Sequence, residues 1–276
     1  MTTPDSVKYS QTPTATENVW GVGLKDAKRR SRYIAYADVA QSVTGLLLGL
    51  FLFCHMAFTS SIQFGKDLFY NLIATSGGAF IDGEEHLWMH VVFVGFIFAL
   101  VVIHAFCALR RFPTSYRQLR DIKAHYKLLK HEDTTLWFVQ LVTAFLLFLL
   151  VFPHLMSMLT NPGGFDPNLI GVHTYHNGMI YTIIFLVVTE LHGMIGLYRL
   201  AVKWDIFTKN PETNIIDQRQ GDRAGLRKAM LFVALLMIVC GSLTAWKNYS
   251  IGAEQVQAGQ ESQRYVPTEG AAWYHD

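Results

Sequence analysis

The sequence predicts an all-α integral membrane protein, a bundle of five transmembrane helices with its N-terminus cytoplasmic and its C-terminus periplasmic. Three observations carry this. Hydrophobic residues make up 51% of the 276 positions and charged residues only 16%, against roughly 25% charged in an average soluble domain. Five stretches are apolar over the roughly 20 residues that a helix needs to cross a hydrocarbon core. Basic residues gather in alternate connectors, which orients the spans.

The first 36 residues are polar, contain Pro4 and Pro13, and lack an apolar core followed by a small-residue cleavage site. They read as a cytoplasmic segment rather than a cleaved signal peptide. The spans follow within a membrane domain covering 37–248, at about 39–62, 87–109, 136–159, 179–202 and 229–246. No strand alternation competes with them, and a helix satisfies its own backbone in lipid. Residues 249–276 are polar and rich in Gly, Gln and Ser, and read as an irregular periplasmic cap.

Lys25, Lys28, Arg29, Arg30 and Arg32 precede the first span. The connector after the second span holds Arg110, Arg111, Arg117, Arg120, Lys123, Lys127 and Lys130, and the connector after the fourth is similarly basic. The other two collect Asp82, Glu84, Glu85 and Asp166. Excess Lys and Arg mark the cytoplasmic side. Total charge is close to balanced, with 23 basic and 21 acidic residues, so nothing in bulk electrostatics points to nucleic acid. Cys54, Cys107 and Cys240 lie in separate apolar runs without metal-finger spacing and read as small buried hydrophobes. The spans show no internal repeat of the transporter kind, since an odd count cannot form two equal halves.

Of eleven histidines, His55, His104, His154 and His192 lie deep in the first four spans, one in each. A lone membrane histidine can simply hydrogen-bond a neighbour; four distributed this way ask for more. The first and third spans run outward, so His55 and His154 lie toward the outer side. The second and fourth run inward, and His104 and His192 stand shortly before Arg110 and Arg199. At about 1.5 Å per residue the two pairs differ in depth by roughly 10 to 20 Å. Haem iron accepts imidazole on both faces of the porphyrin, so this is the pattern of two b-type haems stacked across the membrane. Gly45, Gly49, Gly95, Gly193 and Gly196 offer small surfaces nearby, as ordinary helix packing would also require. Pro153 loosens the helix just before His154. His86 and His90 share one helix face and read as interfacial, while His125, His131, His173, His176 and His275 read as solvated.

Glu190 is the one carboxylate within a span, where a charge costs about 2.5–3.5 kcal/mol on insertion scales. It stands two residues before His192 and so faces another way, toward a proton route or a hydrogen bond within the bundle. Glu84, Glu85 and His86 open the second span on the outer side and are the candidates for a quinone site, although carboxylates there also suit the helix dipole.

The stretches QSVTGLLLGLFLFCH, VVIHAF with the following RRFP and YRQ, HEDTTLWFVQ, and ELHG with GLYRLAVKW closely resemble the single-chain dihaem cytochrome b subunit of menaquinol:fumarate reductases. The resemblance runs from about Asp38 to Lys228. It implies two haems b, with His104 and His192 ligating the cytoplasmic one and His55 and His154 the outer one. It implies that Gln41, Ser42, Trp137 and Lys203 contact the inner haem's propionates, and that Glu190 carries protons. The outer acidic residue linked to quinol oxidation in that family has no clear counterpart, since the matching stretch is 74–80, and Glu84 or Glu85 is the substitute.

The implied protein is a bacterial inner-membrane subunit that oxidises menaquinol and passes electrons to an iron-sulfur subunit and an FAD flavoprotein that reduces fumarate. The implied assembly extends to a dimer of that three-subunit complex, embedded in lipid. The chain itself lacks the Gly-rich turn and cysteine sets that FAD or iron-sulfur clusters need. A succinate dehydrogenase, a hydrogenase or formate dehydrogenase cytochrome b, and a haem-free transporter or proton channel stay open as alternatives.

Overall fold

In the computed structural model, residues 27–110, 112–113, 115–129, 132–205 and 215–269 are described, and among them the chain is helical with no strand. Five helices are long and apolar enough to cross a membrane: α1 (Ala27–Ser60), α4 (Leu87–Leu109), α6 (Glu132–Thr160), α8 (Met179–Lys203) and α9 (Ile215–Gln257). The connectors hold shorter helices that hydropathy does not reveal: α2 (Lys66–Ser76), α3 (Ala79–Asp82), α5 (Tyr116–Leu129) and α7 (Pro167–Asn177). The molecule is an integral membrane bundle. One end carries the basic connectors and is termed the basic side; the other is the far side.

α1, α4, α6 and α8 form a closed ring in which each packs on the next: α1 on α4, α4 on α6, α6 on α8, and α8 back on α1. α9, the span without histidine, packs outside this ring against α8 and α1. Met194, Ile195 and Tyr198 of α8 seal that seam against Met230 and Ala234 of α9. Ile97 and Leu100 of α4 pack with Leu155 of α6 and Phe51 of α1 on the other flank. Leu50, Phe93, Phe96, Phe148, Phe152 and Leu235 point outward, as residues facing lipid tails should.

α9 has 43 residues, about 65 Å at 1.5 Å per residue and roughly twice the hydrocarbon thickness. It therefore continues past Trp246 as helix to Gln257, where the sequence suggests irregular chain from 249 onward. The reason is α7, which lies along this extension. Gly171 and Gly252 meet there, and a Cβ on Gly171 would come within 2.9 Å of the Gly252 nitrogen. α7 is launched by Asp166, whose side chain accepts from the Asn168 and Leu169 amides at 2.8 and 3.1 Å, followed by Pro167. Between α2 and α4 the chain reverses at Gly78 and Gly83, both left-handed (φ 87° and 83°), a region glycine occupies without strain.

Candidate functional site

The four spanning histidines come together as two pairs, each across a diagonal of the ring. His55 of α1 faces His154 of α6 with ring centroids 6.3 Å apart and planes at 77°. His104 of α4 faces His192 of α8 at 6.5 Å and 89°. Two imidazoles on opposite faces of one metal, each bonded at about 2.0 Å, place their centroids roughly 6.3 Å apart. Among the described residues no three His, Cys, Asp or Glu side chains gather as a metal site. A metal held by protein alone usually takes three or four ligands, whereas haem brings four nitrogens and asks for two. The two pairs therefore fit haem.

Their surroundings differ. The Nδ1 of His104 lies 3.2 Å from Thr44 Oγ1, and the Nδ1 of His192 lies 3.3 Å from Thr143 Oγ1. The far-side rings are held by aromatic packing: Phe51 lies 5.3 Å from His55, and Phe185 lies 5.0 Å from His154. Of the glycines noted, Gly45 gives His104 its room and Gly196 faces Gln140, whereas Gly49 and Gly193 accommodate Leu197 and Leu52; a Cβ on Gly95 would meet nothing within 4 Å.

At the basic end, Gln41, Ser42 and Lys203 lie around Asp38. Lys203 Nζ donates to Ser42 Oγ at 2.9 Å and pairs with the Asp38 carboxylate, which also receives Arg110 at 2.7 Å. Gln41 Oε1 accepts from the same Arg110 at 3.3 Å. Trp137 is half-buried near the same end of α6. Asp38 went unnoticed in the sequence; the signal was an acid among basic residues at a span boundary.

Glu190 is fully buried, at 0% exposure, and neither carboxylate oxygen meets a hydrogen-bond partner among the described residues. It shares a helix face with Met194 and Tyr198, which pack against α9, and so turns away from the His104/His192 pair.

On the far side the three quinone-site candidates separate. His86 bonds Asp82 at 3.1 Å, and the Glu84 amide donates to the same Asp82 near the surface. Glu85 turns inward, its Oε1 3.6 Å from His90 Nδ1. Neither of those two atoms has a hydrogen-bond partner among the described residues. His90, read above as interfacial, is instead buried at 6% exposure, with Nε2 3.1 Å from Ser76 Oγ and Phe165 packed at 4.8 Å. One turn along α4, Phe93 meets Phe51, which meets His55. A run of aromatic contacts thus leads from the turn of α4 after His90 to His55. Hydropathy could not show that burial, because Ser76 and Phe165, which cover His90, belong to other elements of the chain.

The C-terminal segment straps this region. Arg264 reaches Glu85 at 3.4 Å and Asp166 at 3.7 Å, the Tyr265 amide donates to Asp166 at 2.9 Å, and His176 of α7 meets Glu261 at 2.8 Å. Asp67 accepts from the Thr268 amide and hydroxyl and from the Tyr265 hydroxyl. The Thr268 amide, then its hydroxyl, then Tyr265 hold the Asp67 carboxyl below the usual aspartate range. Burial first, and then the bond to Asp67, raise the Tyr265 phenol. His173 and His176, read as solvated connector residues, belong to helix α7. His125, His131 and His275 fall outside the described side chains.

Comparison with known proteins gives a consistent result. The family model described as succinate dehydrogenase/fumarate reductase transmembrane subunit matches residues 116–244. The chain is 38% identical over 239 residues to the fumarate reductase cytochrome b subunit of Helicobacter pylori, covering 86% of this chain and 89% of that one. It is 36% identical over 237 residues to the fumarate reductase cytochrome b subunit of Wolinella succinogenes, covering 84% and 89%.

Proposed function

We propose a role for this chain from a fixed premise: it belongs to the fumarate reductase cytochrome b subunit family and is thus a membrane subunit of an oxidoreductase complex. The role is that of a dihaem anchor in a menaquinol:fumarate reductase. The observation that carries it is the pair of diagonal histidine couples, each at the ring separation that one shared metal requires. His104 and His192 hold the basic-side haem; His55 and His154 hold the far-side one. When bound, each haem supplies a one-electron redox centre.

The chain's own residues then do the rest. Gln41, Ser42, Trp137 and Lys203 stand at the basic end, where Lys203 can offset propionate charge. On the far side, Glu85 and His90 face each other with open hydrogen-bonding positions next to the aromatic path to His55. Quinol oxidation releases protons that need such an acceptor. The Glu85/His90 couple is the quinol-facing acceptor of the reading, with Glu84 and His86 at its rim. Glu190, buried in the α8/α9 seam, holds a proton on a separate route.

The basic connectors face the cytoplasm of a bacterial inner membrane. There they meet an iron-sulfur subunit and, through it, a flavoprotein that reduces fumarate. A reduced-minus-oxidised spectrum of the purified complex, with partner identification and assay against fumarate and a menaquinol analogue, tests the reading. Two b-type components and menaquinol-dependent fumarate reduction are expected; a preparation without b-type bands sinks it.

A further inference from the structure

Two of the helices that run from the basic side to the far side, α1 and α6, share a signature. α1 reads Gln41-Ser42-Val43-Thr44 and α6 reads Gln140-Leu141-Val142-Thr143, and His55 and His154 follow at the same interval, about three turns on. The absence of a repeat between halves of the chain thus does not extend to single helices. Each threonine serves the neighbouring helix rather than its own histidine. Thr44 meets His104, and Thr143 meets His192.

We propose that Thr44 and Thr143 are matched positioning residues that hold His104 and His192 in the tautomer with Nε2 bare, so that the basic-side couple is set for its metal before the metal arrives. The assignment rests on the haem reading above and deepens it. A hydroxyl has one proton to give. Thr44 Oγ1 lies 2.7 Å from the Ala40 carbonyl and 3.2 Å from His104 Nδ1. The carbonyl can only accept and is closer, so it takes the proton, and the threonine accepts from Nδ1–H. A neutral imidazole carries a single N–H, which leaves Nε2 with its lone pair. The Gln41 carbonyl lies beside the same ring as a further acceptor.

α6 repeats each step. Thr143 donates to the Val139 carbonyl at 2.8 Å and faces His192 Nδ1 at 3.3 Å, and the Gln140 carbonyl lies beside that ring. The glutamines are tied in turn: Gln41 accepts from Arg110, just past the end of α4, and Gln140 from Arg199, within α8, each arginine lying beyond the histidine in sequence. Every unit therefore joins two neighbouring helices at two heights and leaves the ring little freedom to turn. A hydrogen bond on Nδ1–H also makes Nε2 the stronger donor, which favours the oxidised metal. Among the described residues no hydrogen bond reaches either far-side ring, so that couple depends on Phe51 and Phe185.

The test uses the intact purified complex with Thr44→Val, Thr143→Val, the double variant, and Thr→Ser at both sites. Three quantities are read for each haem: content, midpoint potential, and the anisotropy of the low-spin ferric EPR signal, which reports the imidazole planes. In the valine variants the basic-side haem is expected to be lost, or to shift to a more positive potential with a moved EPR signal, most in the double variant. The far-side haem stays unchanged and certifies the fold, and serine restores the wild-type values. An unmoved basic-side haem in the double variant, an equal shift at the far-side haem, or serine behaving as valine overturns the assignment. Wild-type complex without b-type bands overturns the haem reading as well, so the two failures are distinguishable.

Discussion

The basic-side and far-side histidine couples occupy one four-helix ring, cross its two diagonals and share a ring separation to within 0.2 Å, yet they are held by different forces. His104 and His192 are fixed by directional hydrogen bonds from adjacent helices. His55 and His154 are fixed by aromatic packing beneath a polar cap built from α2, α7 and the C-terminal strap. The difference teaches that equal ligand spacing does not mean equal preparation. A hydrogen-bonded ring is restrained in rotation as well as position, whereas a packed ring is restrained chiefly in position. The far-side arrangement also leaves two buried polar atoms, on Glu85 and His90, without a hydrogen-bond partner among the described residues, where a substrate with hydroxyl groups can supply one.

The sharpest way to break this comparison is to remove a ligand. His55→Ala or His154→Ala should abolish the far-side b-type signal and leave the basic-side one, and His104→Ala or His192→Ala should do the reverse, as redox-resolved absorption spectra would show. Loss of the basic-side haem on substituting His55 would mean the diagonals are misassigned. Next in size, Glu190→Gln keeps volume and polarity but removes the ionisable proton, and should lower menaquinol-driven turnover by on the order of 100-fold with both haems retained. Unchanged turnover would reduce Glu190 to a structural residue of the α8/α9 seam.

A somewhat smaller effect is expected from the far-side couple. Glu85→Gln or His90→Asn should slow quinol oxidation by roughly 10- to 100-fold without altering haem content, whereas Glu84→Gln and His86→Asn should leave the rate within about twofold, a change near the noise of mutational energetics. Steady-state assays with a menaquinol analogue separate these; a larger loss from His86→Asn than from His90→Asn would reverse the reading. The smallest effect concerns the strap. Asp67→Ala removes acceptors from Thr268 and Tyr265 at a largely solvated site, so the cost is about 1 kcal/mol or less after screening, seen as faster amide exchange at Thr268.

Acid should act on the strap in the same way. The folded Asp67 carboxyl titrates below its unfolded value, so its stabilisation is full above about pH 3.9 and disappears as the pH falls through the depressed folded value. Strap protection that weakens on raising the pH instead would contradict the Asp67 anchor.

Much of this molecule is written along the chain because a bilayer imposes a one-dimensional code: apolar length sets a span, and flanking charge orients it. Helix geometry then turns residue number into depth, which was enough to sort four histidines into the couples that the fold places face to face. The helical connectors and the onward run of α9 were illegible, since their apolar faces are short and become meaningful only when Gly171 meets Gly252. His90 was misplaced for a related reason. Its burial depends on Ser76 and Phe165 from other elements of the chain, and hydropathy carries no record of what folds over a residue. Depth is a local property, fixed by counting along one helix, whereas the identity of the hydrogen-bond partner, Thr44 for His104 or Thr143 for His192, belongs to the angular placement of two helices that only tertiary packing decides.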